Sequence, residues 1–261
     1  MKRPGSTLIE LLVVIGIIAI IVALSVAALN ASRQQAKTAL CGARIKQVTL
    51  DLLMYDADHG RFPCGFADSF TVPPGGYPGD PSRDRMGWWW FHFLRGYDGT
   101  KEPLLHCPSK SLSDPGLKRS VLYANYGANR SVFKSSGETQ QQQKKEFVGT
   151  PLSSSDVTEG TLLIVDSGYS VTSWWHAADV PPSSLDSGRG EDTAYVPGLE
   201  INKTRKLLAG QQPDAIHGRH PNKTVNVGFG DNHVSTLKAE DLLVRKNADG
   251  YANKNPLWSP K

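Results

Sequence analysis

The sequence predicts an α+β fold: a long N-terminal helix whose second half packs against an antiparallel β-sheet head with long loops. Three observations carry this expectation. Residues Leu11–Leu29 are aliphatic apart from Gly16 and Ser25. Further on, Cys41, Ile45, Val48, Leu52 and Tyr55 recur at spacings of four, three, four and three, an apolar stripe on one helix face. Beyond Pro63, short apolar runs alternate with clusters of Gly, Pro, Ser, Asn and Asp, the pattern of short strands joined by loops. With 261 residues the chain is long enough to bury a sizeable core. Its net charge of +4 includes Lys2 and Arg3 at the extreme N-terminus, and no basic stripe follows, which argues against nucleic acid as a partner. Six Trp, eight Tyr and eight Phe exclude a disordered chain. A negative mean hydropathy excludes a protein with many membrane spans.

The apolar block at Leu11–Leu29 comes first. A helix rises about 1.5 Å per residue, so this length approaches the roughly 30 Å hydrocarbon core of a bilayer. Lys2 and Arg3 precede it, which keeps the N-terminus cytoplasmic and sends the rest outward. A secretory signal peptide with a cleavage site at Ser25-Val26-Ala27 is one competing reading, but its apolar region is usually only about 7–15 residues. A plain signal anchor is another. Glu10 separates the block from both. A carboxylate inside a membrane span costs about 2.5–3.5 kcal/mol near the centre and less toward the end, so it marks a functional residue whose partner must be found.

The run Gly5-Ser6-Thr7-Leu8-Ile9-Glu10-Leu11-Leu12-Val13-Val14-Ile15 resembles the start of type IV prepilins and type II secretion pseudopilins. There a short basic leader ends in Gly and is followed, usually, by Phe and then Thr-Leu-Ile-Glu. Ser6 departs from the usual Phe. The resemblance implies cleavage between Gly5 and Ser6 by a prepilin peptidase and N-methylation of Ser6. It also implies that Glu10 of one subunit pairs with the Ser6 amine of a neighbour in a filament. Removing one partner of such a buried pair costs about 3–5 kcal/mol, so the pair sets the register of assembly.

The helix continues past the membrane. The apolar stripe runs to Tyr55, and Lys37, Arg44, Asp51 and Asp58 recur every seven residues on the other side. One helix from about Ser6 to about Asp58 is expected, ended by Gly60 and Phe62-Pro63. The stripe reads as packing against the protein's own head. This divides the chain into a cleaved leader (1–5), an apolar assembly half of the helix (6–29), an amphipathic half (30–60) and a β-rich head (61–261). Cys41-Gly42-Ala43-Arg44-Ile45-Lys46-Gln47-Val48, Tyr55, Gly60-Arg61-Phe62-Pro63 and Cys107-Pro108-Ser109 also look like a large subgroup of pilin-like proteins.

In the head, strands are expected at Ser120–Tyr126, Thr161–Asp166, Thr224–Phe229 and His233–Leu237, the last two joined by a Gly230-Asp231-Asn232 turn. Val225, Val227 and Phe229 alternate with Asn226 and Gly228, which predicts one buried face. Residues 134–145 and 181–192 read as polar loops. The subgroup often ends with a His, nine residues, then Asp-Gly and usually His-Val. Here ten residues separate His220 from Asp231, and Asn232 replaces the Gly. Asn tolerates a left-handed turn position, so the hairpin is retained, with the extra residue in a bulge or a longer loop before the strand. The resemblance attaches no chemistry to this motif.

Candidate chemistry is sparse. His217, His220, Asp231 and His233 are metal-ligand types, but their spacing fits no zinc motif, and turn capping is the simpler reading. Some pseudopilins hold Ca²⁺ in a head loop. Asp179, Asp186, Glu191 and Asp192 offer the oxygen ligands for such a site, without an Asp-x-Asp-x-Asp pattern; no cofactor is expected beyond this. Trp88-Trp89-Trp90-Phe91-His92-Phe93 and Trp174-Trp175-His176 are expected mostly in the core. No nucleophile elbow, zincin motif or phosphate loop is present, so no enzyme is expected. Three cysteines in an extracytoplasmic protein allow one disulfide and one leftover thiol. The resemblance favours Cys41–Cys107, with Cys64–Cys107 as the competitor.

The expected function is that of a pilin-like subunit held in the inner membrane by a single span, with a cytoplasmic N-terminus and a periplasmic head. It assembles with other pilin-like subunits into a type II secretion pseudopilus or type IV pilus-like filament that can reach the cell surface. The rival is a tethered head that binds carbohydrate or another envelope ligand and never polymerises.

Overall fold

The computed structural model describes residues 8–68, 71–80, 82, 84–94, 102–136, 146–182 and 193–260. Helix α1 spans Leu8–His59 without a break. It stops where Gly60 takes φ +71° and donates its N–H to the Asp56 carbonyl at 2.7 Å, a left-handed cap that Gly adopts at no steric cost. Its two halves differ in surroundings. Every residue from Leu8 to Lys37 is exposed, and the buried face starts only at Cys41. That face holds Cys41, Ile45, Val48, Thr49, Leu52 and Asp56. Tyr55 is only half-buried; the helix turns Asp56 inward instead, where its carboxylate accepts the Ser154 N–H at 3.2 Å. Arg44 also departs from the expected outer charge row, because its guanidinium reaches the His106 carbonyl.

The head is built on short elements: β1 (Phe66–Ala67), β2 (Trp88–Trp89), α2 (Glu102–Leu105), α3 (Pro115–Arg119), β3 (Tyr126–Asn129), β4 (Leu162–Asp166), β5 (Val171–Thr172), α4 (Gln212–His217), β6 (Thr224–Phe229), β7 (Val234–Lys238), β8 (Arg245–Asn247) and β9 (Gly250–Ala252). The main sheet has the order β5-β3-β4-β6-β7. Its pairs are antiparallel except β3 with β5, which run parallel, so the sheet is mixed. The strand expected at Ser120–Tyr126 lies later, at Tyr126–Asn129. The stretch before it is held as a turn by Asn125, whose side-chain amide donates to the carbonyls of Ser120, Val121 and Tyr123. The other three strands fall within one residue of their expected bounds.

Both faces of the sheet are covered, not one. On one side lie α1 and a core that includes Phe62, Trp89, Trp90, Phe91 and Tyr126. On the other, Val225, Val227 and Phe229 pack with Phe147, Trp174, Trp175 and Trp258. Asn226 and Gly228, expected to face solvent, are buried beneath the helix. Gly228 is required there: a Cβ would meet Thr49 Oγ1 at 2.3 Å and Ile45 Cγ2 at 2.9 Å. The absence of a side chain lets helix and strand approach closely. In the β6–β7 turn, Asn232 takes φ +67°, the left-handed position expected of it.

Candidate functional site

The structure brings four side chains together beneath the helix. Cys41 projects from the buried face of α1. Cys107 follows α2, its N–H held by Asn125 Oδ1 at 3.0 Å. Asp166 ends β4, and His220 sits in the turn that leads into β6. Their Sγ, carboxylate and imidazole atoms all lie within 4.8 Å of one another, and all four residues are buried. Cys41 Sγ–H donates to Asp166 Oδ1 at 3.4 Å, and His220 Nε2 lies 3.1 Å from Asp166 Oδ2 and 3.9 Å from Cys107 Sγ.

A second layer fixes these groups. Arg219 has no side-chain exposure and binds Asp166 Oδ1 at 3.2 Å, Asp214 Oδ2 at 2.8 Å and the carbonyls of Asn125 and Ser167. The Asn226 backbone N–H donates to Asp166 Oδ2 at 2.7 Å. His220 Nδ1 lies 3.1 Å from Thr38 Oγ1, whose hydroxyl donates to the Gln34 carbonyl. Thr38 Oγ1 therefore accepts from Nδ1–H, which turns Nε2 toward the cysteines and the carboxylate.

The electrostatics follow from burial and these contacts. Burial alone would raise the Asp166 carboxyl. The hydrogen bond and charge of His220, the Arg219 guanidinium and the Asn226 N–H outweigh it and hold the carboxyl below its ordinary value. Burial opposes the charged form of His220, but its hydrogen bonds to Asp166 and Cys107 lift it to about 9. Burial likewise raises Cys107, yet hydrogen bonds from Cys41 and His220 bring it down to about 6. Cys41 is pushed well above the usual thiol range by burial, with Cys107 and the Asp166 charge adding to it. Burial and these contacts favour a thiolate at Cys107 beside a cationic His220.

The other sequence candidates do not converge. Asp231 and His233 pair with each other at the exposed β6–β7 turn. Six residues of β6 separate that turn from His220, about 20 Å of extended chain. His217 ends α4 and is not in the cluster. Between His220 and β6 the turn Pro221–Lys223 holds Asn222 and Lys223 at positive φ. Cys64 is half-buried, is a free thiol like Cys41 and Cys107, and lies outside the cluster. Asp179 is exposed, and its Oδ1 accepts the N–H groups of Val180 and Lys246. Asp186, Glu191 and Asp192 lie outside the described residues, as do Gly5 and Ser6. The rings of Trp89, Trp90, Phe91, Trp174 and Trp175 are buried.

Cys41, Cys107 and His220 stand out separately in the sequence, whereas Asp166, Arg219, Thr38 and Asn226 do not. Asp166-Ser167-Gly168, a carboxylate closing the apolar run Leu162–Val165, is the local signal that marks Asp166. Glu10 lies on the exposed N-terminal half of α1, among large apolar side chains from Leu8 to Leu29 that all face outward. The helix is long and apolar enough there to cross a membrane. No curated protein and no solved structure matches the chain. Residues 1–26 match a family model described as the prokaryotic N-terminal methylation motif, a prepilin-type segment.

Proposed function

We propose that the chain is a structural subunit of a pilin-like filament, cut between Gly5 and Ser6 by a prepilin peptidase and N-methylated at Ser6. The observation that carries this reading is the contrast along one unbroken helix. From Cys41 onward α1 is part of the head's core; from Leu8 to Leu29 it is exposed all round and presents aliphatic side chains on every side. An apolar surface of that size is stable only in lipid or against other helices. Before assembly the segment holds the subunit in the inner membrane, with the head on the periplasmic side. On assembly it packs against the same segment of neighbouring subunits, in a pseudopilus or type IV pilus-like filament. Glu10 then meets the cationic Ser6 amine of a neighbour.

Two observations support a structural role over an enzymatic or carbohydrate-binding one. The motif match points to a structural pilin-type protein. Most of the aromatic rings that a sugar platform would expose lie in the core. The test is Glu10→Ala in cells that carry the partner subunits, read by cross-linking within the membrane and by recovery of sheared filaments. The subunit is expected to remain cleaved and membrane-bound while cross-linked oligomers and sheared material disappear. Assembly unchanged by the substitution would overturn the reading in favour of a tethered head that does not depend on Glu10.

A further inference from the structure

We propose that Cys41, Cys107, Asp166 and His220 form a structural Zn²⁺ site that fastens the membrane helix to the head. The donor set is two sulfurs, one imidazole nitrogen and one carboxylate, each a common zinc ligand. Thiolates and imidazole together favour Zn²⁺ over Ca²⁺ or Mg²⁺, which take oxygen. A tetrahedral site with Zn–S of about 2.3 Å and Zn–N or Zn–O of about 2.0–2.1 Å sets neighbouring ligand atoms roughly 3.3–3.8 Å apart. His220 Nε2 lies 3.1 Å from Asp166 Oδ2 and 3.9 Å from Cys107 Sγ, Cys41 Sγ lies 3.4 Å from the other oxygen, Oδ1, and all four ligand atoms lie within 4.8 Å of one another, so movements of about 1 Å would bring one carboxylate oxygen and the other three atoms to that geometry.

The surroundings are those of a metal centre. Zinc-bound histidines donate their other ring N–H to a nearby acceptor, which fixes the ring. Here Thr38 Oγ1 fills that role, and Nε2, which also lies 3.2 Å from Asn226 Nδ2, faces the sulfurs and the carboxylate. Arg219 and the Asn226 N–H orient the carboxylate. All four ligands come from the protein and all are buried, so no position is open to substrate and the site is structural. Binding displaces whatever protons the two sulfurs and Nε2 still hold. Two thiolates, the carboxylate and Zn²⁺ then carry a single negative charge, which faces the Arg219 guanidinium. The ligands belong to α1, the segment after α2, β4 and the turn before β6. One ion therefore ties the helix to three parts of the head that are far apart in sequence. A Cys41–Cys107 disulfide is the competing state of the same two sulfurs. It accounts for neither the convergence of Asp166 and His220 on the pair nor the orientation of the imidazole.

The test uses the full chain, purified in detergent from membranes. Metal content is measured by mass spectrometry, and intact mass is measured after alkylation in denaturant with chelator. One zinc ion per chain is expected, with Cys41 and Cys107 both alkylated. Replacement by Co²⁺ is expected to give thiolate-to-cobalt charge-transfer and intense d–d bands. Cys107→Ser and His220→Ala are expected to lose the metal, Cys64→Ser to keep it, and Thr38→Ala to weaken binding about tenfold. Should the ligand variants fail to fold, the zinc content and cobalt spectrum of the unaltered chain decide alone. A chain two hydrogens lighter with Cys41 and Cys107 closed to alkylation, or one with free thiols that takes up no zinc or cobalt, would overturn the proposal.

Discussion

Arg219 and Asp214 form a two-point ion pair with no side-chain exposure to solvent. Nη2 lies 2.8 Å from Oδ2, and Nε lies 3.2 Å from Oδ1. The pair organises the base of the site, because the same guanidinium reaches Asp166 and two backbone carbonyls. Asp214 is also held by the Tyr195 hydroxyl at 3.1 Å and the Ser111 N–H at 3.0 Å.

Removing Asp214 deprives a fully buried guanidinium of the carboxylate that holds it at two points. Breaking a buried pair from one side costs about 3–5 kcal/mol. Asp214→Ala is therefore expected to destabilise the head by that order, read as a lower urea midpoint of the full chain in detergent. A loss within about 0.5 kcal/mol, typical of a surface substitution, would contradict the role given to the pair.

The contact of Gly228 with Thr49 is a second test, now of the helix–sheet junction. Gly228→Ala places a Cβ against Thr49 Oγ1 and Ile45. Overpacking of this kind costs about 1–3 kcal/mol. Adding Thr49→Ala removes the nearer of the two clashes and is expected to recover part of the loss. The double-mutant cycle measures this directly, and strictly additive losses would contradict the close approach.

A third expectation separates the two faces of the amphipathic helix. Leu52 is fully buried, whereas Leu50 is 40% exposed. Leu52→Ala is expected to cost about 2–5 kcal/mol and Leu50→Ala less than about 0.5 kcal/mol, from denaturant titration of each variant. Equal effects would mean that the helix is not docked through the observed face.

The junction also shows how much was legible beforehand. The long helix, its stop at Gly60 and three of the strands could be read because period and punctuation are local signals. The second covered face of the sheet could not. Asn226 and Gly228 look like solvent-facing residues, and only the tertiary contact shows that Gly228 admits the helix and that Asn226 reaches Thr38 and His220. The site was half legible for the same reason. Cys41, Cys107 and His220 stood out as residue types. Asp166 and Arg219 became members only through sheet pairing that places β4 beside β6. The grouping of His220 with Asp231 followed spacing along the chain, and an extended strand carries its two ends apart.

Two buried histidines predict a pH dependence. Trp89 N–H donates to His92 Nδ1 at 2.8 Å, and Ser173 N–H donates to His176 Nδ1 at 3.0 Å, so both rings are held neutral. Burial lowers His92 to about 4. Burial, with the charges of Arg205 and Arg130, puts His176 well below the ordinary value. Between about pH 6.5 and 4 the unfolded chain binds protons at these sites that the folded chain does not. Their contribution to stability is thus complete above about pH 6.5 and is lost as pH falls through that window. The urea midpoint is expected to drop between about pH 7.5 and pH 5, and the drop is expected to shrink in a His92→Gln variant. An unchanged drop in that variant would assign the effect elsewhere.

Processing by a prepilin peptidase fixes the N-terminus, and intact mass with N-terminal peptide sequencing of the protein from its native membranes reads it out. A mature chain that starts at N-methylated Ser6, with Glu10 as its fifth residue, is expected. A chain that still starts at Met1, or one cut after Ala27, would contradict it, because neither product presents the Ser6 amine that Glu10 is proposed to meet.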